Sequence, residues 1–493
     1  MIGSWLGQHW FAVALAIVYT SFLFAHARLG LRAGKTAAGF FIGNRGLGGA
    51  VIGVSFYATF ASTNSYVGLA GKSYEYGLPW LTMAALMVIF CWLSWRIVAP
   101  RMRRFAAAWG SLTVPDFLAV RFGSDRVRIA AAAVIVFSCL LYLIAVFKGA
   151  GNLLQVFLGI PYQVAVIVTL GLIVMYTMLG GFVSVVRTDV LQGSLMVVGS
   201  ILLFYFITSA AGGVGVIAEL PNEPSRAHLV ELNGAIPFVV LIGIALAGSL
   251  KLLVDPRQVT RFYGLKDEHS VRVGVWVAVI GILVIQFCLF PLGLYAHFLL
   301  DGVADTDLVV PTLVNDPAVI PPLVGDFLVI AILAAAMSSL DSVLLVAASV
   351  ASRDLLVRRP KRREAGFVRG ARVGVAGFAV VAAIVALNPP GGIVEITIFS
   401  GSLFAVCFVP TILLGLHWRR GNEAAALAAF GVGIGVLLGW LVAGLGNVLH
   451  EVFPALFAST AAYVVVSLRG RRVTDEAVAQ LFEIGRTSHA RTA

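Results

Sequence analysis

The stretch ILAAAMSSLDSVLLVAASVASRD, Ile332 to Asp354, decides how the rest of the chain is read. A bilayer core takes about 20 helical residues, and this stretch is long and apolar enough to cross one. Yet Ser338, Ser339, Asp341 and Ser342 lie in its middle. Hydrocarbon penalises such groups: an Asp at the centre of a spanning helix costs about 2.5–3.5 kcal/mol on insertion scales. Ala334, Ala335 and Ala336 precede the hydroxyls and leave room for a helix or an ion to approach the backbone. The pattern points to a cation site inside a membrane. Its plainer reading is helix–helix adhesion, since Ser and Ala are common where membrane helices pack.

The composition sets the class. Of 493 residues, 60% are hydrophobic and only 12% charged, against about 25% charged in a soluble domain. Cys91, Cys139, Cys288 and Cys407 all fall in apolar runs without metal-ligand spacing and read as free thiols, not disulfides. Nothing basic precedes the first apolar run, so no cleavable signal is expected. The net charge of +11 would suit nucleic acid, but its distribution argues otherwise. Basic residues gather at alternate connections: 28–35 with Arg45, 101–128, 255–272, 353–372, Arg419 with Arg420, and 469–472. Two intervening connections, 219–231 and 301–316, are acidic, and the second has no Lys or Arg. This is the positive-inside pattern of a membrane protein, and no nucleic-acid partner is implied.

Hydrophobic runs between these connections predict an all-α chain of about thirteen spans, near 10–28, 46–71, 79–100, 127–158, 162–179, 183–211, 234–254, 272–299, 322–353, 370–388, 393–417, 423–443 and 447–468. Charge alternation places the N-terminus outside and the C-terminus in the cytoplasm of a cell whose plasma membrane holds the protein. The second span carries hydroxyl and amide groups from Thr59 to Ser65, then Gly68 and Gly71. The seventh contains Ala247, Gly248 and Ser249 and ends at Asp255-Pro256. Both look interruptible, and they lie five spans apart, as corresponding elements of two five-span repeats would. Transporters built from inverted repeats use such paired broken helices to hold substrate and ions near mid-membrane.

Five segments in order, FFIGNRGLGG (40–49), ATFASTNSYVGLAGKSYEYGLP (58–79), LTVPDFLAVRFG (112–123), YTMLGGFVSVVRTDVLQG (176–193) and AAAMSSLDSVLLVAASVASRDL (334–355), resemble the sodium:solute symporter family. The resemblance covers nearly the whole chain. It implies the leucine-transporter fold: an extra helix and first loop over 1–45, one inverted repeat over 46–212, a second over 213–418, two further helices over 419–468, and a tail over 469–493. It also implies co-transported sodium between the second and ninth spans. By match to the family's ligand positions, backbone carbonyls of Ala58, Ala61 and Ala335 and hydroxyls of Ser338 and Ser339 would hold it. A hard cation takes several oxygens, and these supply them without a full charge. A second cation site found in some relatives would map to Asp189, Ser338, Asp341 and Ser342, with Asp341 standing where such relatives can carry Ser. A plainer role for Asp189 is a solvated helix cap or a pair with Arg187.

Lys148 lies about ten residues before the outer end of the fourth span, roughly 15 Å deep at 1.5 Å per residue. A buried ammonium needs a partner. Asp189 or Asp341 would make Lys148 structural or an ion stand-in, and a substrate carboxylate would make it part of a substrate site. The family match adds Phe60, Asn64 and Ser65 as substrate-facing, with Phe399 and Ser400 as further candidates. A Phe in a membrane helix is more often packing or lipid-facing, and Glu395 reads as a residue of the water interface.

The function expected is a sodium-coupled symporter that imports a small polar organic solute, an amino acid or short carboxylate, by alternating access. Proton coupling through Asp189, Asp341 and Lys148 is the alternative within transport, and a transporter-like sensor the alternative outside it. No Walker loop, HExxH or CxxC is present, so an enzyme or ATP-driven pump is not expected. Membrane lipid and a small-molecule substrate are the expected partners. No feature speaks to oligomeric state.

Overall fold

The computed structural model describes residues 9–33, 36–177, 181–355 and 364–470, with 473, 478 and 482. Most of the 469–493 tail lies outside the described residues. Eleven helices among the described residues are long and apolar enough to cross a membrane. Two shorter apolar helices, Gly49–Phe60 and Tyr162–Met175, lie where the second and fifth spans were expected. The principal helices, numbered here in chain order, are α1 Trp10–Ala33, α2 Gly49–Phe60, α3 Ala70–Tyr76, α4 Leu81–Leu93, α5 Asp125–Leu158, α6 Tyr162–Thr177, α7 Phe182–Ala210 and α8 Phe238–Val254. The series continues with α9 Pro256–Tyr263, α10 Glu268–Leu289, α11 Pro322–Val350, α12 Glu364–Ala386, α13 Ile393–Phe408, α14 Glu423–Val442 and α15 Val452–Arg469.

Burial separates centre from rim. The most apolar window of the α11 span is 89% buried, against 22% for α1. A helix apolar all round yet wholly enclosed is a core element, and α11 packs against α7, α5, α12 and α2. The broken α2 lies against α10 through glycines. A Cβ on Gly49 would strike the Ser270 carbonyl, and one on Gly53 would come 2.8 Å from the Gly274 carbonyl. Small residues let the two backbones touch, the usual basis of close helix packing in lipid.

Both expected interruptions exist, one of them elsewhere than expected. α2 stops at Phe60, Ala61 is extended (φ −71°, ψ 116°), and helical structure resumes as a π-turn over Asn64–Leu69 before α3. In the seventh span Ala247, Gly248 and Ser249 are ordinary helix, and the chain breaks instead at Asp255 (φ −58°, ψ 125°). Proline disfavours the α conformation in the residue before it, and the Asp255 side chain caps the new helix by accepting from the Arg257 amide at 2.9 Å. The second half, α9, is not the exposed basic connection expected of 255–272: all of its residues are buried. Cys91, Cys139 and Cys407 are buried and Cys288 partly so, and all four are free.

Candidate functional site

The break in α2 releases backbone oxygens beside α11. The amides of Asn64 and Ser65 turn to the Ser62 hydroxyl (3.1 Å) and carbonyl (2.8 Å), so they do not close helical bonds to Phe60 and Ala61. Ser339 donates its hydroxyl to the Thr59 carbonyl at 3.2 Å. One turn on, the Ser342 and Thr59 hydroxyls lie 3.0 Å apart. Ala58, Ala61, Ala335, Ser338 and Ser339, the five residues matched to the first sodium site, are all fully buried, and Ser339 and Ser342 bring α11 against Thr59 of α2.

Asp189 from α7 closes the third side. It is fully buried and accepts from Ser338 at 2.5 Å on one oxygen and from Ser55 at 2.5 Å on the other. Neither a solvated cap nor a pair with Arg187 describes it. Its cationic partner is Arg261 of α9, at 3.2 Å. The Arg261 guanidinium also donates to Ser342 at 2.8 Å, to the Ser55 hydroxyl at 2.9 Å and carbonyl at 3.1 Å, to the Arg257 carbonyl at 2.7 Å, and to the Thr59 hydroxyl. A fixed positive charge is thus lodged beside Asp189 and Ser342, two of the residues matched to a second cation site. Asp341 accepts from Thr177 at the end of α6. A largely apolar pocket lined by Leu112, Val114, Pro256, Val346 and Val350 also reaches Arg261 and Ser342.

Lys148 is nowhere in this cluster. It pairs with Asp307 at 2.6 Å and donates to the Gly391 carbonyl at 3.2 Å, so neither Asp189 nor Asp341 is its partner. The same Asp307 oxygen accepts from the Ile393 amide at 3.1 Å. Burial holds the Asp307 carboxyl pKa above the usual carboxylate range, against the opposing pull of the Lys148 ammonium. Lys72 ties Glu75 (2.6 Å) to Glu395 (2.8 Å) nearby, with both carboxylates about half exposed. These contacts fasten the acidic connection and the start of α13 over the break in α2. At the opposite, basic face, Asp116 meets Arg353 at 2.8 Å, and Thr113 donates to Asp354 at 2.9 Å.

The other expected substrate residues divide. Phe60 and Asn64 lie at the break, with Asn64 accepting from Thr397 at 3.1 Å, and Ser65 accepts from Gln286 at 3.4 Å. Phe399 packs against a cluster formed by Leu403, Val406, Leu437 and Ala455, and Ser400 donates to the Ser138 carbonyl at 2.9 Å. Both therefore make contacts with neighbouring helices. Sequence reasoning missed Arg257 and Arg261, which were counted with the surface charges. Their spacing of four residues, one helical face directly after Asp-Pro, was the available signal.

Residues 40–433 match the sodium:solute symporter family. The chain belongs to that family. An osmoregulated proline transporter of Bacillus subtilis is 31% identical over 88% of this chain and 89% of its own length. A sodium/pantothenate symporter of Haemophilus influenzae is 26% identical over 93% and 96%. Among solved structures, a sodium-coupled sialic acid symporter superposes with a TM-score of 0.78 at 19% identity, covering 94% of this chain and 98% of that one. A nucleobase-cation-symport-1 transporter gives 0.57 at 13% identity, covering 89% and 97%. The fold is the leucine-transporter fold. Like its family, the chain is an integral membrane symporter that couples a small solute to sodium, and it is not an enzyme.

Proposed function

We propose that the chain imports a small carboxylate-bearing solute, an amino acid or short organic acid, with sodium held where the break in α2 faces α11. The observation that carries this reading is the Ser339 hydroxyl on the Thr59 carbonyl at 3.2 Å, beside carbonyls released at Phe60 and Ala61. Carbonyls of Ala58, Ala61 and Ala335 with the hydroxyls of Ser338 and Ser339 form the first site. A second cation site would use Asp189, Ser338 and Ser342, and Asp341 would join it by leaving Thr177. The proline and pantothenate in the names of relatives are both carboxylates, which supports the solute class.

In this reading the basic face is cytoplasmic, the N-terminus external and the C-terminus cytoplasmic. Two inverted repeats run over 46–212 and 213–418, in keeping with breaks five spans apart. Exposed apolar side chains such as Ile17, Trp276 and Phe457 meet lipid. Lys148–Asp307 and Lys72–Glu395 then close the external side. Sodium draws α2 and α11 together and orders the segment that bears Phe60, Asn64 and Ser65. Solute and ion therefore favour each other reciprocally, and each charge entering down 100 mV contributes about 2.3 kcal/mol.

The test is uptake of labelled proline and pantothenate into proteoliposomes across a sodium series. Ser338→Ala and Ser339→Ala should each raise the half-saturating sodium concentration about tenfold, the worth of one hydrogen-bond-strength ligand. Unchanged sodium dependence in both variants rejects the assignment.

A further inference from the structure

Lys251 is a buried cation that the sodium cluster does not use. It sits on α8, four residues before the break at Asp255, and is 3% exposed. The other deep cations are matched: Arg261 by Asp189, Lys148 by Asp307, and Arg121 by the carbonyls of Gly415, Trp418 and Gly421. Asp255, the acid nearest to Lys251 along the chain, is taken by Arg257, whose Nε lies 2.9 Å from each carboxylate oxygen. Among the described residues the Lys251 amine has no hydrogen bond or salt bridge and faces two aromatic rings, with centroids at 5.4 Å for Phe60 and 5.6 Å for Tyr142.

The surroundings are short of negative charge. Arg257 stacks on the same Tyr142 ring at 3.8 Å, so two basic side chains meet one ring while the neighbouring carboxylate, Asp255, pairs with Arg257. Among the described residues Arg257 Nη1 has no hydrogen-bond partner, nor do the buried hydroxyls of Ser138 and Ser249. Tyr142 in turn donates to Ser62 at 2.8 Å, inside the break of α2. Ring faces favour a cation but do not replace an anion, and a buried charge without a counter-charge is costly to maintain. The amine is also placed beside Phe60, the last helical residue before the break.

We propose that Lys251 is the anchor for the carboxylate of the transported solute, held between the break of α2 and helices α5 and α8. The ammonium supplies the counter-charge, the Phe60 and Tyr142 rings fix its direction, and the solute's carboxylate completes a site that carries one surplus positive charge. This rests on the reading of the chain as a sodium-coupled importer of small carboxylates. It moves the anion-recognising role from Lys148, which is already paired, to Lys251.

The experiment is a thermal-shift and binding titration of the purified full chain in detergent, with sodium or choline. The probes are L-proline, pantothenate, pyruvate and acetate, beside prolinamide and glucose as solutes without a carboxylate. At least one carboxylate should bind in sodium, while prolinamide and glucose do not. Lys251→Met should weaken that binding about tenfold to a hundredfold, as expected for loss of one charged hydrogen bond. Lys251→Arg should recover part of it, and both variants should keep the sodium-induced shift seen without solute. Carboxylate affinity unchanged in Lys251→Met overturns the proposal, as does binding of glucose or prolinamide with no response to any carboxylate, or silence across the whole panel. A wild-type chain that binds a carboxylate through Lys251 but shows no sodium effect leaves the anchor standing and overturns the sodium site instead.

Discussion

Replacing Arg261 by Gln removes the fixed cation from the cluster proposed to bind sodium while keeping a hydrogen-bonding side chain of similar reach. Arg261 and Asp189 are both almost fully buried and lie 3.2 Å apart. At an effective dielectric of about 20, two unit charges at that distance attract by about 5 kcal/mol. Breaking a buried pair by removing one partner typically costs about 3–5 kcal/mol, so the two figures agree. In sodium-free medium Arg261→Gln should lose stability of this order, because Asp189 is left with only the hydroxyls of Ser55 and Ser338. Sodium then becomes the replacement counter-ion. At one hundred times its dissociation constant a bound ion returns about 2.7 kcal/mol, more than half of the loss. Thermal unfolding of the purified protein, followed by tryptophan fluorescence in a sodium series balanced with choline, measures both quantities. The half-saturating sodium concentration should fall at least about tenfold relative to wild type, since a like charge no longer opposes entry. If the sodium dependence of Arg261→Gln superimposes on that of wild type, with the same loss at every concentration, then Asp189 has no part in cation binding.

Three further outcomes follow from the same geometry. Lys148→Met alone and Asp307→Asn alone should each destabilise by about 3–5 kcal/mol, while the double variant should lose clearly less than their sum, because neither change then strands a buried charge. An additive double-mutant cycle in thermal unfolding would show that the pair is not coupled. Gly49→Ala should destabilise by about 1–3 kcal/mol through collision with the Ser270 carbonyl, whereas Gly48→Ala, with open space around it, should be neutral. Equal stability of the two variants would count against close backbone packing of α2 on α10. Finally, Phe399→Leu should leave solute affinity unchanged while Phe60→Leu weakens it several-fold, since only Phe60 adjoins the break. Equal effects on uptake would remove that distinction.

Much of this arrangement was legible in residue order because the bilayer simplifies the problem. Backbone groups in hydrocarbon must be satisfied within a helix, so apolar length alone located most spans. Polar residues at mid-span then had to face inward, as Ser338 and Ser339 do. The cluster Thr59 to Ser65 marked the break in α2 because small polar side chains can re-satisfy freed backbone groups. The second break was misplaced: Ala247 to Ser249 resembled a weak point, but small residues also permit tight packing. A Cβ on Gly248 would meet Ile398 at 2.9 Å. Neither Asp189 nor Asp341, the acids considered for Lys148, pairs with it, because its acid lies 159 residues away in a connection taken as surface. Arg257, Arg261 and Lys251 were hidden for a related reason. Charge next to a predicted loop is read as solvated, and only tertiary structure shows that α9 turns back into the protein.

The contact of α2 with α10 has a mechanical consequence. With Gly49 against the Ser270 carbonyl and Gly53 against that of Gly274, the two helices have almost no clearance along their line of touch. Neither can slide or roll by itself without a backbone collision. The first half of the broken helix must therefore swing together with its neighbour as one lever arm. The strip between Ser339 and the Thr59 carbonyl is then a parting line between two stiff bodies, opened or shut by rotation and not by local softening.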